Sequence, residues 1–411
     1  MDSPDQNAKG IPVDSVSYAD KSLYIGIKKL GASYTGEYDS NTNTFKGSFT
    51  QMGFKIPLSL TKSIPEKEQV NRPQEPKAPF PYAQKEVFFT NGKDSVELAG
   101  TLTIPNGKGP FPAVVLVSGS GPQNRDEELL GHKPFLVIAD YLTRNGIAVL
   151  RYDDRGVGKS SGKFSTSTTN DFANDASAAI SYLGTQQNIN SRRIGIIGHS
   201  EGGIIAYIEA ARNKKVAFII SLAGPTIPGD EILMQQSALI AKAAGSSDEA
   251  IASAAKINRT IYDIVIKEKD ITKMRQDVEA AIEKSISQKS NGTISSEQKA
   301  TMARQQAAQI TSPWFVNFLR YDPRVAISKI KVPLLFLVGE KDYQVPAKSN
   351  ISSLKEVVAA NKMKNITIKE IPGANHLFQK CQSCTVSEYG KLEETFNPEV
   401  LLLMVEWINQ R

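Results

Sequence analysis

Histidine is scarce in this chain, with three in 411 residues: His132, His199 and His376. Chemistry that needs an imidazole therefore has few places to sit. Cysteine is scarcer still, and Cys381 and Cys384 make a lone Cys-x-x-Cys with no second Cys or His pair at ligand spacing. One such pair is too little for a zinc site, so it reads as a local disulfide in an exported protein or as two incidental thiols. No run approaches the roughly 18 consecutive apolar residues that a membrane helix needs. The polar stretch 1–10 does not read as a signal peptide. Because β-type sequence begins close behind it, the expectation is that a leader, and with it a first strand, has been trimmed from this chain. No one sign of charge dominates either: 49 Lys and Arg against 43 Asp and Glu give +6, scattered rather than clustered. Without a basic run interleaved with aromatics, a nucleic-acid partner is not expected.

What the chain does contain centres on residues 192–203, Arg-Arg-Ile-Gly-Ile-Ile-Gly-His-Ser-Glu-Gly-Gly. The apolar, β-branched run at 194–197 suits a buried parallel strand. Gly198-His-Ser-Glu-Gly202 fits Gly-x-Ser-x-Gly, and 204–211 continues as a helix. In a strand-turn-helix context that pentapeptide predicts a nucleophile elbow, with Ser200 projecting from the C-terminal end of a sheet. The Glu201 N–H then points where an oxyanion would form.

Three segments follow from pattern. Residues 1–62 read as a small antiparallel β domain, with alternating polarity broken by turn material. Residues 63–82 carry Pro65, Pro73, Pro76, Pro79 and Pro81 and read as a stiff linker. From 83 to 411 strands alternate with helices, which predicts a doubly wound, mostly parallel α/β sheet opened by an antiparallel hairpin. Between the strands at Val216 and Val332 lies an insertion of about a hundred residues, far beyond an ordinary connection. Capping boxes at Ser246–Glu249 and Ser295–Gln298, helix stops at Gly245 and Gly292, and Ser312-Pro313 make it helical. We expect a cap at about 226–320 above the strand ends, where ligands bind in such sheets.

A serine hydroxyl needs a base. His199 adjoins Ser200 within the elbow, so its side chain is expected to turn into packing; His132 precedes the serine. His376, in Pro372-Gly-Ala-Asn-His376, is the histidine left for the order Ser, acid, His. The acid should end the strand 334–338, where Asp342 is preferred and Glu340 is the alternative; Asp342 could instead merely cap the turn before Val345-Pro346. The second oxyanion donor should come from 117–126, Val-Ser-Gly-Ser-Gly-Pro-Gln-Asn-Arg-Asp, with Ser120 N–H first and Gly121 next. Trp314 and Phe315 head the most aromatic part of the insertion and would enclose an apolar group. Gly156-Val-Gly-Lys-Ser160 resembles the end of a P-loop, but Asp153 stands where that motif needs glycine.

Ser118-Gly-Ser-Gly-Pro-Gln-Asn-Arg-Asp126, Asp154-Arg-Gly-x-Gly-x-Ser-x-Gly162, Gly198-His-Ser-Glu-Gly202, Gly339-x-x-Asp342 and Asn375-His376 together resemble the α/β-hydrolase superfamily over about residues 85–411. The arrangement is similar to a bacterial carboxylesterase branch with an N-terminal β domain and a helical cap, and to serine aminopeptidase-like and acyl-peptidase-like relatives. The resemblance implies a hydrolase of small-molecule carboxylic esters, working without metal or organic cofactor, and an exported bacterial protein, periplasmic or extracellular, with a cytoplasmic place left open. One departure is Ser118, where the oxyanion loop more usually has histidine. Two other readings stay open: a peptidase or amidase acting on aminoacyl or acylated peptides, and a non-catalytic binding protein on a hydrolase scaffold.

Overall fold

A computed structural model describes residues 11–27, 32–51, 54–61, 70–289 and 295–411. Five strands open the chain: β1 (Ser15–Ala19), β2 (Ser22–Ile27), β3 (Ala32–Asp39), β4 (Thr44–Gln51) and β5 (Phe54–Thr61). They form an antiparallel sheet in sequential order. The register puts Leu23 opposite Tyr18 and Gly36, so one face collects apolar residues, as period-2 patterning requires. Pro65 and the first part of the expected linker, like Gly292, lie outside the described residues.

The rest of the expected linker is bonded in place. Arg72 donates to the carbonyls of Gly131, Gly390 and Leu392, and Gln74 bonds the backbone of Thr395 and Phe396. Each bond satisfies a loop carbonyl or amide that has no ladder partner.

Beyond it come β6 (Ala83–Asn91), β7 (Val96–Ile104), β8 (Phe111–Val117), α1 (Pro134–Arg144), β9 (Ala148–Tyr152), α2 (Thr169–Leu183), β10 (Ile189–His199), α3 (Glu201–Arg212) and β11 (Phe218–Leu222). The insertion follows as α4 (Gly229–Ala243), α5 (Asp248–Lys267), α6 (Ile271–Lys289), α7 (Ser296–Ile310), α8 (Pro313–Arg320) and α9 (Pro323–Ile327). The chain ends with β12 (Leu334–Gly339), α10 (Ala347–Ala360), β13 (Ile366–Ile371), α11 (Val386–Tyr389) and α12 (Pro398–Asn409). These residues make two compact units, Met1–Gln69 with Asp270–Gln309, and Val70–Lys269 with Ile310–Arg411. The helix α5 starts one residue later than its capping pattern suggests, because Ser247, not Ser246, accepts from Ala250 N–H. The Ser295–Gln298 box closes in both directions.

In the second unit the sheet runs β13-β12-β11-β10-β8-β9-β7-β6. Pairing is parallel from β13 to β9, while β7 and β6 join antiparallel, as the expected hairpin. This is the α/β-hydrolase arrangement expected. Ala113–Val117, Ile196, Ile197 and Leu334–Val338 are buried, because a parallel sheet covered on both faces has no solvent side. From β8 the chain first builds β9 on one side, then returns to place β10 on the other. Such a switch point opens a crevice at the strand C-termini. Among the described residues no helix is long and apolar enough to cross a membrane.

His132 is one of the structural supports. Its ring lies 2.9 Å from Thr395 Oγ1 and 2.8 Å from the Tyr389 carbonyl, fully buried. Burial drives it from 6.5 to about 4; the Tyr389 carbonyl opposes the fall and the Arg72 charge adds to it. Between those values the unfolded chain binds a proton that the folded chain refuses, so stability is lost as pH falls through this window. The melting temperature should therefore drop further between pH 7 and pH 5 in the wild type than in His132→Gln. Equal drops would remove His132 from the account.

Candidate active site

Strand β10 ends at His199 and helix α3 begins at Glu201, which leaves Ser200 alone in the turn. Its backbone takes φ 53° and ψ −118°, a conformation a side chain rarely adopts. The surroundings enforce it. Ser200 N–H donates to the Leu222 carbonyl at 2.8 Å, so the turn is pinned to β11. A Cβ on Gly198 would lie 1.9 Å from the Gly202 carbonyl oxygen, and one on Gly202 would lie 2.0 Å from that of Val117. Only glycine lets α3 fold back this tightly over β8 and β10.

The loops after β12 and β13 meet beside this turn. His376 Nδ1 lies 2.7 Å from Asp342 Oδ2, and both residues are buried. The other Asp342 oxygen accepts the N–H groups of Gln344 and Val345, each at 2.8 Å. Asp342 thus caps its turn and also holds the histidine, so the two readings of this residue are compatible. Glu340 is occupied elsewhere, accepting from Gly373 N–H and pairing with Lys341. Asn375 Oδ1 accepts from Leu377 and Gln379 N–H and folds the histidine loop tightly. The His376 ring centroid is 4.8 Å from that of His199, the residue preceding Ser200. The hydrogen bonds of the described residues include none between the Ser200 hydroxyl and His376; such contacts often tighten only when substrate is present.

The third loop follows β8. Ser118 Oγ donates to Asp154 Oδ1 at 3.0 Å, and the other Asp154 oxygen accepts Gln123 N–H. These bonds orient the loop through Ser118, where histidine is more usual. Glu127 accepts Gly119 N–H at 2.7 Å. Among the backbone hydrogen bonds of the described residues, Ser120 N–H and Glu201 N–H find no acceptor. Ser120 is exposed, whereas Gly121, at φ 99°, lines a small cavity shared with Asp154 and Glu201. Burial and the nearby Glu201 and Glu127 charges push Asp154 well above the usual carboxylate range, against its bonds from Gln123 and Ser118.

The aromatic helix reaches the elbow through an unforeseen contact. Trp314 Nε1 lies 2.9 Å from both carboxylate oxygens of Glu201, and Thr169 Oγ1 donates to the same group at 2.7 Å. Trp314 also stacks on Phe318. Phe315 packs edge-on to Trp314 and tilts against Tyr262 of α5. Burial pushes Glu201 upward, with the Thr169 and Trp314 bonds working against the shift. The elbow pattern marks the Glu201 N–H but carries no signal for its side chain, and Glu127 has none beyond its place in an acidic loop.

The family described as serine aminopeptidase, S33, matches residues 133–380. An esterase from Thermotoga maritima, EstD, is 26% identical over 281 residues, covering 68% of this chain and 58% of that protein. This chain therefore spans less than two thirds of that relative's length. An uncharacterised Escherichia coli protein from the traX-finO intergenic region is 22% identical over 78% of this chain and 99% of its own length. The crystal structure of the α/β hydrolase GrgF from Penicillium sp. sh18 superposes with TM-score 0.50 at 16% identity, covering 80% of this chain and 98% of that one. That likeness concerns the fold.

The Glu201 clamp can be tested alone. Trp314→Phe keeps an aromatic ring but leaves a buried carboxylate short of one donor, which should cost about 1–3 kcal/mol in denaturant unfolding. The loss should be smaller on a Glu201→Gln background, because contacting residues couple. Additive losses would mean that the indole N–H contributes nothing specific.

Proposed function

The chain belongs to the serine aminopeptidase S33 family of α/β-hydrolases, and from that premise we propose that it is a carboxylesterase-type serine hydrolase, cleaving esters of short-to-medium acyl chains. The observation that carries this reading is the buried 2.7 Å contact of His376 with Asp342, beside an elbow that holds Ser200 at φ 53°. The Thermotoga maritima esterase supports the choice of ester.

In this mechanism His376 takes the Ser200 proton as Oγ attacks the acyl carbonyl carbon. Asp342 fixes the ring through Nδ1, leaving Nε2 to act, and stabilises the imidazolium that forms. The Ser120 and Glu201 N–H groups, unused by the fold, receive the developing oxyanion. Each such donor contributes roughly 3 kcal/mol to lowering the barrier. The tetrahedral intermediate collapses, His376 returns the proton to the leaving alcohol, and an acyl-Ser200 ester remains. Water then gives a proton to His376 and attacks the acyl carbon; the intermediate collapses with cleavage of the bond to Ser200 Oγ, which takes the proton back from His376 as the acid leaves. Trp314 and Phe315 border the apolar group. The disulfide between Cys381 and Cys384 supports work in an oxidising compartment, periplasmic or extracellular.

The family description favours a second substrate class, small aminoacyl amides, on the same residues. Hydrolysis of chromogenic esters from acetate to octanoate separates the two. Ser200→Ala should lower turnover by about 10⁴ or more, and Asp342→Asn by about 10³–10⁴, with Glu340→Gln near wild type. Ester turnover that survives Ser200→Ala overturns the mechanism; no wild-type turnover on esters with turnover on aminoacyl amides moves the substrate class.

A further inference from the structure

His199 does not simply pack. It is buried, with Nδ1 2.9 Å from Glu127 Oε1 and Nε2 3.1 Å from the backbone carbonyl of His376. The same Glu127 oxygen accepts Gly119 N–H at 2.7 Å. A single run of hydrogen bonds thus passes from the oxyanion loop, through the residue beside the nucleophile, to the histidine loop. We propose that His199, paired with Glu127, is a positioning residue that locks the oxyanion loop to the His376 loop and balances the charge beside His376. This rests on the hydrolase reading above.

The hydrogen-bond chemistry sets the protonation. A carbonyl oxygen only accepts, so Nε2 carries hydrogen; a carboxylate only accepts, so Nδ1 carries one too. His199 is then an imidazolium, with Glu127 as its counter-ion. Burial alone would discharge the ring, but the Glu127 charge and hydrogen bond, the His376 carbonyl and the Asp342 charge outweigh it and hold His199 above its ordinary range.

Asp154 at the end of β9 is held up by burial and also feels the Glu127 charge; the other residues packed against the pair do not titrate. Pro134, Phe135 and Ile138 of α1, Leu222 of β11, Leu377 and Phe396 complete the lining around His199 and Glu127. Around His376 stand Asp342 and His199; the phenol of Tyr389 is raised by burial, with the Asp342 charge adding to the rise, and stays neutral. The charges His376 meets are therefore the Asp342 carboxylate and a Glu127–His199 pair that sums to zero.

The pair acts in two ways. It fixes Gly119, and with it the neighbouring Ser120 N–H, against the loop that carries His376, so donor and base keep one spacing during turnover. It also prevents a lone charge from shifting the protonation of a ring 4.8 Å away. His199→Gln keeps one donor but removes the cation, leaving Glu127 unbalanced. That extra negative charge favours the His376 imidazolium.

The test is the pH dependence of kcat/KM on the best chromogenic ester. In His199→Gln the acidic limb should move upward by about half a pH unit or more, and kcat should fall about tenfold with KM within about twofold of wild type. Adding Glu127→Gln removes the unbalanced charge and should return the limb to its wild-type position. An unmoved limb in His199→Gln, or no return in the double variant, overturns the proposal. Where His199→Gln gives no cooperative melt, Glu127→Ala decides: a loss confined to kcat supports the lock, and unchanged kcat overturns it. Wild-type activity that does not depend on Ser200 would defeat the hydrolase reading and this inference together. Ser200-dependent activity with an unmoved limb defeats this inference alone.

Discussion

Buried and half-buried carboxylates hold the loops at the C-terminal end of the sheet, and the geometry of the site depends on the bonds they accept. Asp342 accepts two backbone N–H groups and contacts His376. Asp154 accepts a serine hydroxyl and a backbone N–H, Glu127 a backbone N–H and an imidazole, and Glu201 an indole and a threonine hydroxyl. Loops above a parallel sheet have no ladder to satisfy their amides. A carboxylate with several lone pairs can gather amides from more than one loop at once. The cost is desolvation, and it is tolerable because few of these oxygens lack a donor.

Neighbouring residues show how the balance is set. Asp153 and Asp154 adjoin in sequence at the end of β9. Burial would raise both, but the Arg125 guanidinium and backbone N–H bring Asp153 below the usual range. Asp154 has neutral donors and two acidic neighbours, and it goes up. A cation decides the sign in one case and its absence decides it in the other. Likewise His132 and His199 are both buried, yet Glu127 holds His199 up while His132, without a carboxylate partner, falls. Burial therefore does not by itself set the direction of a shift, and each loop is tuned by what faces it.

Much of this was legible in the sequence where the signal is local. The Gly198–Gly202 elbow, the antiparallel hairpin of β6 and β7, and α1 over Pro134–Arg144 follow from patterns within one or two elements. Chain order drew attention to His376, and strand position to Asp342, whose contact the structure contains. What escaped joins residues far apart in sequence with no periodicity between them. Glu127 meets His199, and Trp314 meets Glu201, only after the sheet has ordered β8, β10 and the insertion. A polar residue in a loop carries no mark of which distant donor it will face. The placing of Asp270–Gln309 in the first compact unit, with β1 to β5, was hidden for the same reason. Capping chemistry marks the starts of α5 and α7 but carries nothing about their neighbours.

Glu201 joins two demands that are usually separate. In the proposed mechanism its N–H receives the oxyanion, and that donor must stay in place while charge develops. Its side chain is the anchor for Trp314, and so for the aromatic helix expected to border substrate. A helix returning from a long insertion has many ways to settle, and an indole N–H on a buried carboxylate selects one. Because backbone and side chain belong to the same residue, a shift of α8 would pull on the first turn of α3, where Ser200 ends. Thr169 at the start of α2 holds the same carboxylate. In that mechanism substrate enclosure and oxyanion geometry both turn on this one residue, and a change in the aromatic helix should be felt in the chemistry as well as in the fit of the acyl group.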